Sequence, residues 1–272
     1  MQKEKIAVLK KTCGSIPFFF KISVQLYYMK KFLKKILPVS WLNYYRSITI
    51  PKQKSQFHGK DLKTTFTEIY HSNLWKGKES LSGTGSDTAQ TQVLIEELGN
   101  LLSLYDIKSI LDVPCGDFNW MNRVKLAGAT YVGGDIVNEL IQANMESYKD
   151  NSNVRFDIID IIKDELPKAD LLFCRDCLVH LSYKEIFKAI LNIKKSKSTY
   201  LLTTTFTNHP INYNITTGDW RTLNLERAPF NFPKPIHIIN ENCTEGNGEY
   251  KDKSLFLWEI KNLPLPPKDL FL

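Results

Sequence analysis

Ser109-Ile-Leu-Asp-Val-Pro-Cys-Gly-Asp-Phe-Asn-Trp120 is the stretch whose reading decides the fold. A short apolar run ends in Asp112 and Val113, breaks at Pro114 and Gly116, and resumes as a helix expected to open near Phe118. Strand, tight turn and helix form the repeating unit of an open parallel α/β sheet. In such sheets ligands sit at the carboxyl ends of the strands, where turn and helix N–H groups are free to bond. Gly116 supplies a turn at which a ligand can approach bare backbone.

Working outward, Thr130-Tyr-Val-Gly-Gly-Asp-Ile136 reads as the second strand, with Asp135 following Gly116 by 19 residues. Dinucleotide folds hold a ribose through an acidic residue at about that distance from the glycine turn. Asp135 could instead cap the next helix, a task for which Asn138 looks better placed. That helix is expected over 138–149 and should bury Leu140, Ile141, Asn144 and Met145. Val154-Arg-Phe-Asp-Ile-Ile-Asp-Ile161 is the third strand, with Asp160 at its ligand end and Asp157 as a competing acidic candidate. Ala169 to Ser182 is a fourth strand running into a loop, and Ser182 with Glu185 forms a capping box before Ile186, Ile190 and Ile193. Thr199 to Phe206 is the fifth strand. Strands alternating with helices this regularly indicate a parallel, doubly wound sheet.

Ile110-Leu-Asp-Val-Pro-Cys-Gly-Asp117 resembles the first motif of class I S-adenosylmethionine-dependent methyltransferases, and the resemblance extends over about residues 80–262. Leu178-Val-His-Leu-Ser182 resembles the His-Leu segment found after the fourth strand in many of them. The resemblance implies a Rossmann-like seven-stranded sheet in the order 3-2-1-4-5-7-6, its last strand antiparallel. It also implies S-adenosylmethionine as cofactor, held at the turn by Asp112, Cys115, Gly116 and Asp117. Asp135 and Ile136 would lie at the ribose, Asp160 and Ile161 at the adenine. Pro114 and Phe118 stand where glycines are usual, so the turn should be stiff and roofed by a ring.

Residues 207–235 contain Pro210, Gly218, Pro229, Pro233 and Pro235 and have no helical period. A connection this long is usually functional, and its Trp220, Arg221, Asn224, Phe230 and Phe232 mark it as an acceptor-binding lid. Trp220 could stack on a sugar or pack in the lid. Arg175 and Arg221 could grip an anionic acceptor, or pair with Asp176 and Glu226. Asp176 and His180, after the fourth strand, are the candidates for managing an acceptor's proton, although His180 could equally be a packed imidazole bracing the loop. The Ser80–Asp87 loop is rich in small residues and precedes a helix presenting Leu94, Leu98, Leu101, Leu102 and Tyr105. It is placed to close over a cofactor, and it lacks the lysine of a phosphate loop. Thr65 and Glu68 have capping-box spacing for a short helix before it. Ile236–Asn240 and Leu255–Ile260 read as a closing antiparallel pair.

The net charge of +7 is unevenly placed. Residues 1–63 carry fourteen Lys/Arg against Glu4 and Asp61, whereas residues 64–272 carry 22 against 27. The domain reading is therefore a basic N-terminal extension and linker over 1–60, then a catalytic body over 61–272. Ile22, Leu26, Met29, Leu33 and Ile36 form one helical face among lysines, which suits either an anionic membrane surface or packing on the body. Met29-Lys-Lys-Phe also reads as a translation start. No uncharged apolar run is long enough to span a bilayer, and no secretory signal is legible. Five scattered cysteines fit a reducing cytoplasm better than a disulfide framework, and Cys174-Arg-Asp-Cys177 without a second pair does not make a metal site. The expectation is a cytoplasmic O-methyltransferase acting on a small polar or glycan-type acceptor, peripheral on the inner membrane face if the helix adsorbs. The alternative is a non-catalytic S-adenosylmethionine-binding protein docked on a membrane or partner. A net acidic body disfavours nucleic acid, and a nicotinamide enzyme lacks its glycines.

Overall fold

Seven strands form one mixed sheet in the order β3-β2-β1-β4-β5-β7-β6, in a computed structural model that describes residues 55–267. The strands are β1 (Ser109–Asp112), β2 (Thr130–Asp135), β3 (Val154–Ile158), β4 (Leu171–Cys174), β5 (Tyr200–Phe206), β6 (His237–Asn240) and β7 (Lys253–Glu259). The first five run parallel, and β7 lies antiparallel between β5 and β6. The order and the reversed strand are those expected. The amphipathic helix expected over 22–36 lies outside the described residues.

The central strands β1 and β4 are buried on both faces, so they read as apolar runs and not as alternation. Side chains of the sheet nonetheless alternate between two cores. Leu111, Leu172, Cys174, Leu201, Phe256 and Trp258 join one, while Ile110, Leu171, Phe173, Leu202, Leu255 and Leu257 join the other. Four helices cover them: α1 (Leu62–His71), α2 (Thr88–Leu104), α3 (Asn138–Ser147) and α4 (Tyr183–Lys195). Ile186, Ile190 and Ile193 of α4 fill the first core; Leu94, Leu98, Leu101 and Leu102 of α2 fill the second. Ser182 caps α4 through the Glu185 N–H, and the Glu185 carboxylate accepts the Ser182 hydroxyl at 3.0 Å.

Several local expectations fail for identifiable reasons. No α-helix follows the Gly116 turn: residues 117–129 form irregular turns with one short 3-10 turn at Met121–Arg123. Asn119 and Asn122 lie in this stretch, and the Asn122 amide bonds back to the carbonyls of Phe118 and Asn119, competition with the helix ladder that favours turns. α1 is capped by Asp61, which accepts from Thr64 N–H at 2.8 Å, and not by Thr65, which is buried inside the helix. Asn138 does not cap α3, which instead starts after Val137, and Met145 is exposed instead of buried. The body extends N-terminally of residue 61, because Phe57 is buried and Ser55 donates to Asp219 at 3.0 Å.

Candidate functional site

β1, β2 and β4 end on one cavity, and the residues just past β3 reach it as well. Of the residues nominated from sequence, Asp112, Cys115, Gly116, Asp117, Asp135, Ile136, Ile161, Arg175, Asp176 and His180 all line it. A second cavity adjoins it through Trp75, Ser82, Asp176 and His180, and Trp220 lines that one.

The floor of the first cavity is the Gly116 turn, held to β2. Cys115 N–H donates to the Gly134 carbonyl at 2.8 Å, and Gly116 N–H to Asp135 Oδ2 at 3.1 Å. The other Asp135 oxygen accepts Val137 N–H at 2.9 Å. Backbone N–H groups thus bond both oxygens. Burial raises the Asp135 carboxyl to about 6, with the Val137 and Gly116 N–H groups opposing the rise. Deeper in, Asp112 accepts the Tyr131 hydroxyl at 2.6 Å on Oδ2, while its buried Oδ1 has no partner among the described residues. Burial drives this carboxyl up to about 8. An orphaned buried acceptor is costly unless a ligand or water completes it.

The walls come from segments whose role the sequence did not reveal. Leu62, Phe66 and Tyr70, one face of α1, line the cavity together with Trp75. Spacing of four residues gives the stripe, but nothing local says what it faces. The expected loop does close over the turn: Asp117 accepts Ser80 Oγ at 3.0 Å and Leu81 N–H at 2.8 Å, and Asp117 N–H donates to Ser82 Oγ at 3.3 Å. Gly116 has φ +57°, and a Cβ there would collide with Ser82 Oγ.

Phe118 does not roof the cavity. It takes the left-handed φ of +55° that glycine tolerates better, and its buried ring packs on Tyr131, Tyr148 and Phe156. Asp160 is not a lining residue. Its Oδ1 accepts Ile162 N–H at 2.9 Å and so closes the turn after β3, leaving Ile159 and Ile161 at the cavity.

His180 sits where the two cavities meet, on a short 3-10 turn that the 217–221 segment splints. Gly218 N–H donates to the His180 carbonyl at 2.9 Å, Ser182 N–H to Thr217 Oγ1 at 2.9 Å, and Arg221 N–H and Nη1 both donate to the Val179 carbonyl. His180 Nδ1 lies 3.1 Å from the Asp219 carbonyl oxygen, and its ring stacks obliquely on Trp75 at 4.7 Å. Burial depresses the imidazole to about 4, partly countered by Asp176.

Arg221 is therefore not an acceptor ligand here. Its side chain is fully buried, lines neither cavity, lies over the Tyr183 ring at 5.5 Å, and is lowered to about 10 by burial. Glu226 pairs with Lys234 instead, at 2.8 Å. Trp220 parts company with it: 41% exposed, its ring meets Tyr250 at 5.0 Å in the second cavity. Arg175 is also committed, donating to Glu241 at 2.7 Å and to the Gly85 carbonyl at 2.8 Å.

Lys253 and Glu241, not singled out from sequence, complete an ion cluster. Lys253 Nζ contacts Asp176 at 2.6 Å and Glu241 at 3.2 Å. Burial alone would raise the Asp176 carboxyl, but Lys253 and then Arg175 outweigh it and hold it at about 2. Only the pairing across β5, β7 and the loop after β4 brings these residues together, which no local pattern reports.

No protein-family model matches the sequence, and no curated protein matches it. Solved structures share parts of the fold. The N-methyltransferase NodS of Bradyrhizobium japonicum, in complex with S-adenosylhomocysteine, is similar over 52% of this chain and 74% of its own, at 17% identity and a TM-score of 0.44. Magnesium protoporphyrin IX methyltransferase of Synechocystis, also with S-adenosylhomocysteine, is similar over 53% and 71%, at 16% identity and a TM-score of 0.43. A possible exported protein of Bordetella parapertussis is similar over 43% of each chain, at 15% identity and a TM-score of 0.36, so this chain spans less than half of that relative.

Proposed function

We propose that this protein transfers the methyl group of S-adenosylmethionine to a hydroxyl of a small polar or glycan-type acceptor. The observation that carries the reading is the pair Asp112 and Asp135 at the ends of neighbouring parallel strands. Asp112 keeps a buried oxygen with no partner among the described residues, Asp135 accepts backbone N–H groups on both of its oxygens, and both residues line the same cavity. Such a site suits a ligand rich in donors: ribose hydroxyls for Asp135, and an N–H or cationic group for Asp112. Ile136 and Ile161 supply the apolar walls an adenine needs. When bound, S-adenosylmethionine supplies an activated methyl group on a sulfonium. The rest of the chemistry falls to the chain.

Holding two reactants in line supplies most of such an acceleration, and the junction of the two cavities is where they would meet. A hydroxyl acceptor must also lose a proton. The Asp219 carbonyl can only accept, so His180 Nδ1 carries the hydrogen and Nε2 is left with a lone pair. A buried imidazole kept neutral near pH 7 can take that hydroxyl proton at Nε2. Asp176, kept ionised by Lys253 and Arg175, favours the imidazolium that results. The test is turnover: purified protein with labelled S-adenosylmethionine and a panel of hydroxylated acceptors, products read by mass spectrometry. Label transferred to oxygen supports the reading. Cofactor binding with no transfer to any acceptor would instead favour a binding protein.

A further inference from the structure

The second cavity has a charge imbalance. Among the described residues, its charged lining groups are the carboxylates of Asp176 and Glu245 and the ammonium of Lys253. Behind this wall Arg175 and Glu241 neutralise each other, and His180 is uncharged near neutral pH. Asp176 lines both cavities and is satisfied by Lys253 at 2.6 Å. Glu245 lines only the second. Its hydrogen-bond donors are neutral, Thr84 Oγ1 at 2.7 Å and the Cys243 thiol at 3.8 Å, and no ion pair to it is present among the described residues. The rings of Trp75, Trp220, Phe206 and Tyr250 line the same cavity as this carboxylate.

Two further facts favour a ligand here. The cavity has room for one, about 330 Å3. The imidazole of His180, more than nine-tenths buried, lines it, and Nε2 has no partner among the described residues. Aromatic faces in a cavity with one carboxylate in excess recognise a flat or ring-shaped molecule that brings donors and positive charge, through stacking, cation–π attraction and a charge-assisted hydrogen bond. A carboxylate or phosphate on the acceptor would meet Glu245 and Asp176 as like charges.

We propose that the second cavity selects its acceptor by charge: it takes a ring-shaped polyol bearing a protonated amine, docks the amine at Glu245, and refuses anionic acceptors. This deepens the methyl-transfer reading and rests on it for the word acceptor, but the charge preference is a property of the cavity itself. Tryptophan emission of the full-length protein, to which Trp75 and Trp220 of this cavity contribute among five tryptophans, is titrated with glucosamine, glucose and glucuronate as probes of one shape and three charges. Expected is the order glucosamine, glucose, glucuronate, with steps of about threefold at low salt that shrink as salt is added. Glu245→Gln should bring the glucosamine response down to that of glucose, with a melting profile confirming the fold. Equal responses, tighter binding of glucuronate, or no response to any probe overturns the proposal. Calorimetry with S-adenosylhomocysteine on the same preparation reports the first cavity alone, so loss of that binding would count against methyl transfer and not against the charge preference.

Discussion

His180 Nδ1 lies 3.1 Å from the carbonyl oxygen of Asp219, and that contact decides which imidazole nitrogen carries the proton. The carbonyl is fixed in turn because its own segment is bonded to the His180 backbone by Gly218 N–H at 2.9 Å. Tautomer and ring position are thus set by one short splint.

The buried imidazole makes stability depend on pH. Its folded value of about 4 lies below the ordinary 6.5, so the unfolded chain binds more protons between the two. Stability contributed by the neutral ring is present above pH 6.5 and is lost as pH falls toward 4, by at most roughly 3 kcal/mol. Urea melts of wild type and His180→Asn at several pH values measure it. The expected outcome is that the acid-induced loss is smaller in the variant.

Arg221→Ala should be a stability variant. Deleting a fully buried side chain that ties Val179 leaves a cavity and should cost about 2–4 kcal/mol. Arg221→Met should lie within about 1 kcal/mol of wild type, since the guanidinium Nε and Nη2 have no partners among the described residues. Chemical denaturation reads both, and S-adenosylhomocysteine affinity of the folded Met variant should be unchanged.

Gly116→Ala should displace the 80–86 loop. The new methyl meets Ser82 Oγ, and φ of +57° disfavours any side chain, so a cost of about 1–3 kcal/mol is expected. Adding Ser82→Gly removes the collision but not the strain, and should restore part of the stability in a double-mutant cycle.

The sheet was legible because five apolar runs recur with helices between them, and because Asp112 and Asp135 sit at strand ends that composition alone marks. The Ser80–Asp87 loop was legible from its small residues, and Asp117 bonds it in place. The helix expected near Phe118 was not, since the strand–turn–helix pattern says nothing of Asn119 and Asn122, whose local chemistry favours turns. The α1 stripe was readable as a stripe, but its target is set by tertiary contacts. Arg221 looked like an exposed grip because a buried, half-satisfied guanidinium is rare. Lys253 and Glu241 gave no signal because their partners lie far along the chain, at Arg175 and Asp176.

The most direct test of the central claim is calorimetry of S-adenosylhomocysteine against wild type and Asp135→Ala, with NADH as control. Wild type should bind S-adenosylhomocysteine and not NADH, and Asp135→Ala should lose at least about tenfold in affinity, as expected when a hydrogen-bonded carboxylate is removed. Wild-type affinity should also fall as pH drops below about 6, where the Asp135 carboxylate takes up a proton and can no longer accept at both oxygens. Binding of NADH in place of S-adenosylhomocysteine, or an Asp135→Ala affinity equal to wild type, would contradict it.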